Sequence, residues 1–138
     1  TEIFIYMPHR DERFIISTTV LSNHHVTIQE ASIFTCANHF DLDTYIILDE
    51  HNQALFNEER SFEIQNALIT ALKKMHFIPP ITKKRLSKAM AHFRVLTQIT
   101  YSDDDQSRHT RLFLITNDRP GLLATISRVF LHLNIHLH

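Results

Sequence analysis

Three groups of residues in this chain carry side chains that could do chemistry: the stretch "TNDRPGLLA" at 116–124, a scatter of histidines, and the acidic run "SDDDQ" at 102–106. The first contains the single glycine of a 138-residue chain. Asn117 or Asp118 could cap an incoming helix, and Pro120 is preorganised for a first helical turn. Gly121 lacks a Cβ, so a neighbouring backbone or a ligand can come close. A helix start also offers unpaired N–H groups suited to a carboxylate. From the residues alone the segment reads either as a tight strand-to-helix turn or as a loop that a ligand approaches.

The other two groups are weaker. Among the 11 histidines, His132, His136 and His138 with His24 and His25 invite a zinc reading, but no Cys or Glu completes a known ligand spacing. No metal is expected here. Consecutive acidic side chains point in different directions and repel one another, so "SDDDQ" reads as a hydrated loop. GxSxG, P-loop and HExxH patterns are absent, and no catalytic residue is assigned.

The elements that position these residues follow from periodicity. Residues 2–7 read as a buried strand, 14–24 as a helix, and "VTIQEASIFT" (26–35) and "LDTYIILD" (42–49) as a hairpin. Ile64, Leu68, Ala71, Leu72 and Met75 recur at helical spacing, with Ser61 as N-cap. The double proline opens a linker over 77–92 carrying Lys83, Lys84, Arg85 and Lys88. "FRVLTQITY" (93–101) alternates Phe93, Val95, Thr97, Ile99 and Tyr101, and "TRLFLIT" (110–116) is another strand. The order β-α-β-β-α-β implies an α+β, ferredoxin-like sandwich with two helices on one face of a four-stranded antiparallel sheet.

An internal repeat extends this. Laid over the end of the chain without gaps, its start matches: Ile3 over Leu112, Phe4 over Phe113, Arg10 over Arg119, Phe14 over Leu123, Val20 over Val129, Val26 over Ile135. The second copy's helix carries an apolar stripe of Leu122, Leu123, Ile126, Val129, Phe130 and Leu133, and needs the first unit or another molecule to cover it. The domains expected are 1–101, complete, and 110–138, the first βα(β) of a second. At the turn the first copy has His9, Arg10, Asp11 and Glu12 where the second has Asp118, Arg119, Pro120 and Gly121. Both copies are expected to make the same turn, so the turn alone would not require Gly121.

The net charge of −1 supplies no general drive toward nucleic acid or an anionic membrane, and no apolar run spans a bilayer. One cysteine, Cys36, builds no disulfide framework, which suits a cytoplasmic protein. Abrupt ends suggest a piece of a longer protein. The basic run and the β-α-β-β-α-β order raise a nucleic-acid-binding alternative, but "LDTYIILD" lacks the aromatic and glycine pattern of an RNA-binding sheet.

The string "NDRPGLLATISRVF" after "RLFLI" resembles the D-x-P-G-L-L opening of ACT domains, small regulatory modules of β-α-β-β-α-β order. Together with "TEIFIY", "IQEASIFT", "LDTYIILDE", "PP" and "HFRVLTQITY", it resembles the C-terminal tandem ACT region of the bacterial enzyme family that uridylylates and deuridylylates the PII nitrogen-signalling protein. The resemblance implies a parent enzyme with an Mg2+-dependent nucleotidyltransferase domain and a metal-dependent HD-type hydrolase domain, neither within these residues, and glutamine as effector. Another amino-acid-controlled enzyme with an ACT module is the alternative. The resemblance implies ligand contact by Asn117, Asp118, Arg119, Pro120, Gly121, Leu122 and Leu123, of which Asp118, Pro120, Gly121 and Leu122 match the motif, whereas Asp11 and Glu12 replace its Pro and Gly, leaving the first copy as scaffold. Partners implied are glutamine, PII and the parent's catalytic domains. Association as a homodimer or strand-exchanged assembly is expected, because an incomplete repeat leaves an open edge.

Overall fold

The computed structural model describes residues 1–82, 95–104 and 109–137, with the side chain of residue 104 left aside. Its elements are β1 (Glu2–Pro8), α1 (Arg13–Asn23), β2 (Thr27–Thr35), β3 (Phe40–Leu48), α2 (Glu58–Lys73), β4 (Gln98–Asp104), β5 (His109–Ile115) and α3 (Leu122–His132). The class is α+β, with three helices and two antiparallel sheets among the described residues. The chain forms two compact units, Thr1–Lys83 with Gly121–His138, and Lys84–Pro120.

In the first unit the sheet order is β1-β3-β2. β2 and β3 form the expected hairpin, and β1 pairs antiparallel with the far edge of β3, Ile5 opposite Asp43. The register of β2 shifts between Ile28 and Glu30. That irregularity is why the alternation of "VTIQEASIFT" is only partial: one extra residue reverses which side chains face the core. Ile5, Tyr45 and Ile47 from the sheet and Val26 just before β2 meet Ile16, Val20 and Leu21 of α1 and Ile64, Leu68 and Ala71 of α2 in one core cluster.

α2 buries Ile64, Leu68 and Ala71 of the expected stripe and half-buries Leu72, but Met75 lies beyond its end and is exposed. Its N-cap is Asn57 instead of Ser61: the Asn57 side chain accepts from the Arg60 N–H at 3.0 Å, one turn earlier than expected. At the other end Arg10 donates to the carbonyls of Leu72 and Lys74, both at 3.0 Å, satisfying acceptors that the last turn leaves open. The described part of the 77–92 segment is pinned rather than loose. The Asn23 side chain donates to the Pro80 carbonyl at 2.9 Å and accepts from the Thr82 N–H at 3.0 Å, and Pro79 is buried. The basic run from Lys83 lies outside the described residues.

α1 is buried from Arg13 and from Ile15 to Ser22. It packs on α2 along one flank and on α3 along the other, so no side of it faces water. A helix covered all round has little amphipathic contrast, which is why its sequence reads less clearly than that of α2. The second-copy helix is therefore covered by α1 of the first copy, one of the two covers expected for it. The face it uses differs from the expected stripe. Ala124 and Ser127, one turn apart, are its buried residues, while Val129 and Leu133 stay exposed. Small side chains let the two backbones approach. Thr18 Oγ1 and Ser127 Oγ lie 3.2 Å apart at a sequence separation of 109, the offset of the repeat, so equivalent residues of the two copies touch. Ser22 adjoins the start of α3 and Asp11 adjoins His136 beyond its end, so the helices run antiparallel about this contact.

In the second unit β4 and β5 form an antiparallel hairpin, Thr100 opposite Phe113. Asp103 accepts from the Thr110 hydroxyl at 2.8 Å across it, so Ser102, Asp103 and Asp104 of the expected hydrated loop belong to the strand, while residues 105–108 lie outside the described set. β4 starts at Gln98, later than the expected 93, and residues 93–94 are likewise outside. The elements suit the expected α+β, ferredoxin-like class, but among the described residues the strands fall in two sheets: β1-β3-β2 has three strands, and the strand expected as the fourth pairs with β5. A hairpin between neighbouring segments closes a short loop, whereas pairing with β1 closes a long one. Residues 135–137 form no strand.

Ala124 is 1% exposed, so Ala124→Leu should overpack the α1–α3 seam and cost about 1–3 kcal/mol in urea denaturation. Val129→Ala, on the open face, should cost less. Equal stability of Ala124→Leu and wild type would mean that α3 does not rest on α1.

Candidate functional site

The segment 117–123 is divided by the boundary between the two units. In the second unit the Asn117 side-chain oxygen accepts from the Val95 N–H at 2.8 Å, fixing the chain leading out of β5. Asp118, Arg119 and Pro120 are exposed. In the first unit Gly121 is the N-cap of α3, with no side-chain cap bond. The capping role expected of Asn117 or Asp118 is thus not filled by either, because Asn117 is engaged elsewhere and Gly121 itself occupies the cap position. The Gly121 carbonyl closes the first turn, accepting from the Thr125 N–H at 3.0 Å and its hydroxyl at 2.9 Å. Leu122 and Leu123 follow, half-buried.

Gly121 has φ +74°, in the left-handed region. Its equivalent in the first copy, Glu12, has φ −80° and ψ −4° and is right-handed. The two copies therefore make the strand-to-helix connection differently, and the expectation that the turn does not call for glycine is corrected: this version of it does. A Cβ here would also lie 3.1 Å from Ser22 Oγ, inside ordinary contact distance. Conformation and close helix approach together account for the residue.

The site of greatest electrostatic concentration was not expected from the sequence. Asp41, Asp43 and Tyr45 alternate along β3 and all face the helices, fully buried. Arg13, at the first turn of α1, reaches between the carboxylates: its Nε donates to Asp43 Oδ2 at 2.8 Å and its Nη1 to Asp41 Oδ2. Tyr45 Oη donates to Asp43 Oδ2 at 3.3 Å. His9 Nδ1 lies 2.8 Å from Asp41 Oδ2, and its Nε2 lies 3.4 Å from Asp11 Oδ1, which in turn lies 3.1 Å from His136 Nδ1. A chain of polar contacts thus runs from Tyr45 in the core to His136, beyond α3 and exposed. Burial pushes the Asp43 carboxyl above the ordinary carboxylate range, against the pull of Arg13. Burial and the neighbouring Asp43 charge push the Tyr45 phenol up as well. The signal available in the sequence was "DLDTY", three polar side chains at strand spacing on one face.

Among the described residues no group of three His, Cys, Asp or Glu is placed to hold a metal, and His138 lies outside them. No helix is long and apolar enough to cross a membrane.

Gly121→Ala should cost about 1–2 kcal/mol through the left-handed φ and the Ser22 contact. In a Ser22→Ala background the cost should shrink without vanishing; an unchanged cost would show that the Ser22 contact is immaterial. Arg13→Met leaves two buried carboxylates without their cation and should destabilise by about 3–5 kcal/mol. Because the folded pKa of Asp43 is raised, its contribution to stability is full below the ordinary carboxylate pKa and is lost as pH rises through the folded value. The stability of wild type minus that of Asp43→Asn should therefore fall as pH rises from the acid side toward neutrality. A difference that grows with pH would contradict the raised pKa.

No protein-family profile matches the chain, and no solved structure matches it. Curated sequences do. Over 138 residues it is 65% identical to the bifunctional uridylyltransferase/uridylyl-removing enzyme of Legionella pneumophila, covering 100% of this chain and 16% of that protein. The proteins of the same description from Pseudomonas savastanoi pv. phaseolicola and Ectopseudomonas mendocina are 38% and 37% identical, over 99% of this chain and 15% of each protein. The chain matches from end to end one segment, about a sixth as long as the whole, of the bifunctional uridylyltransferase/uridylyl-removing enzymes.

Proposed function

We propose that this chain is a regulatory ACT region of a cytoplasmic enzyme that uridylylates and deuridylylates the PII protein, with glutamine as its effector. The observation that carries the reading is the 65% identity along the whole chain to an enzyme of that description. The α+β order of elements and the D-x-P-G-L-L string at the second copy's strand-to-helix turn support the regulatory assignment. Nucleotidyl transfer and hydrolysis, with their Mg2+, belong in this reading to the catalytic domains of the parent, and PII is that parent's substrate.

Glutamine is assigned to residues 117–123. Asp118 and Arg119, both exposed, offer opposite charges for an amino acid's ammonium and carboxylate groups. Glutamine would change the balance of the two activities only as far as it prefers one arrangement of the regulatory region over another. The first copy, with its right-handed Glu12 turn and with Arg10 occupied by the α2 carbonyls, is scaffold. Self-association, as a homodimer or by strand exchange, belongs to the same reading.

Calorimetric titration of glutamine into the purified chain should give saturable heat that glutamate does not reproduce and that Asp118→Ala abolishes. In the intact parent, Asp118→Ala and Gly121→Glu should both lose the glutamine response. Asp118→Ala is the cleaner variant, since Gly121→Glu also perturbs the helix seam. Undiminished response in Asp118→Ala would sink the site assignment.

A further inference from the structure

α1 and α2 cover one face of the β1-β3-β2 sheet, and the opposite face is largely apolar. Alternation and register set its residues in rows across β1, β3 and β2. Glu2, Ile46 and Glu30 form the first row, Phe4, Thr44 and Ser32 the second, and Tyr6, Leu42 and Phe34 the third. Pro8 and Phe40 close the face, with the Cys36 N–H donating to the Phe40 carbonyl at 2.8 Å. Phe4, Tyr6 and Phe34 are 63%, 59% and 56% exposed. Tyr6 is nevertheless held in place. Its ring stacks on Phe40 with centroids 5.0 Å apart, and its hydroxyl accepts from the Asn38 side chain at 3.1 Å. A contiguous apolar patch with an aromatic fixed before any partner arrives has the anatomy of an interaction surface.

Shape and charge define the partner. A sheet face of this kind is matched by another sheet stacked about 10 Å away with its strands nearly aligned. Among the residues of these rows only Glu2 and Glu30 carry charge, and both lie in the first. Two copies can stack in two ways. With like rows superposed, Glu2 of each copy lies over Glu30 of the other, and two pairs of like charges oppose association. With the rows in reverse order, about a two-fold axis between the second and third, each strand lies over its own counterpart. Phe4 then meets Tyr6 of the other copy, Thr44 meets Leu42 and Ser32 meets Phe34, so small side chains face large ones in two of the three strands. The acidic row meets Pro8, Phe40 and Cys36, none of which is acidic. Size and charge, two independent properties of the face, select the same arrangement.

We infer that the face carrying Phe4, Tyr6 and Phe34 binds the same face of a second copy of this chain, with the rows in reverse order. Such a contact is isologous and closes as a dimer. With roughly 150–250 Å² in a whole aromatic, the three exposed rings offer about 350 Å² per copy. Phe40, Leu42, Thr44 and Ile46 bring each face to the order of 600 Å², and two faces to about 1,200 Å², where the range of stable interfaces begins. This dimer rests on the self-association part of the proposed reading, whose surface it names, and leaves the glutamine assignment untouched.

The test is light scattering of the full chain over a dilution series, in which wild type should be a dimer. Phe34→Asp and Ser32→Lys, whose side chains point away from the core, should keep the wild-type circular dichroism. Each should raise the dimer Kd on the order of a hundredfold, because the dimer would bury two unpaired charges. Val129→Asp, on the exposed side of α3, should leave Kd unchanged. For orientation, Glu2→Cys is mixed with Pro8→Cys, each with Cys36→Ser, and joined by a bismaleimide, since stacked sheets lie beyond disulfide reach. That pair should cross-link faster than a mixture of Glu2→Cys with Glu30→Cys. A preference for the 2–30 pair overturns the reversed stacking. A dimer whose Kd neither Phe34→Asp nor Ser32→Lys changes overturns the face while self-association stands. A monomer overturns both, and a loss of urea stability in monomeric Phe34→Asp would then show the face to be covered from within the same chain.

Discussion

The packing of α1 against α3 is the contact on which most of the first unit depends. Its centre is a pair of small hydroxyl side chains, Thr18 and Ser127, that are equivalent by the repeat. Small residues there permit close backbones, and close backbones explain three further features. Ser22 comes within reach of the α3 N-terminus and leaves little space for a Cβ at residue 121. The apolar stripe of α3 is turned aside, because Ala124 and Ser127 are what fit against α1. His136 beyond α3 is brought to Asp11 before α1, and through it to the polar contacts that end in the core.

The buried Arg13, Asp41 and Asp43 cluster places a charge-dense element beside an otherwise apolar core. One cation between two fully buried carboxylates is an expensive arrangement, and its geometry is strict. It fixes the first turn of α1 against β3, while Arg10 three residues earlier fixes the same turn against the end of α2. The strand-to-helix connection of the first copy is thus fastened on two sides, consistent with a scaffold. The second copy has Leu122 where the first has Arg13, and its exposed Arg119 corresponds to the engaged Arg10. The two copies share a path and differ in how it is held.

What was legible in the sequence followed from local regularity. α2 has one buried stripe, and Ile64, Leu68 and Ala71 announced it. The β2–β3 hairpin and the repeat were visible for the same reason. α1 was less distinct because burial on all sides erases periodic contrast. The inward face of β3 was not legible, because Asp41 and Asp43 look like surface residues until Arg13, 28 residues away from Asp41, is placed between them. The partner of β4 was not legible at all: alternation shows that a strand has a face to bury but not which distant edge will take it. At residues 117–123 the sequence showed a special glycine, but only backbone angles separate a left-handed Gly121 from a right-handed Glu12.

The seam between equivalent residues also bears on ancestry. If one copy of this βα unit were packed on an identical copy across the same antiparallel contact, residue 18 would meet itself, and the assembly would be a two-fold homodimer. Joining two such copies in one chain preserves the seam while freeing each side to change alone. Thr18 and Ser127 keep the hydroxyl in common, whereas Glu12 and Gly121 do not, so the contact near the axis has diverged less than the turns at its ends. Duplication would in this way turn a symmetric surface into an internal one and free the two turns to differ, as Glu12 and Gly121 do.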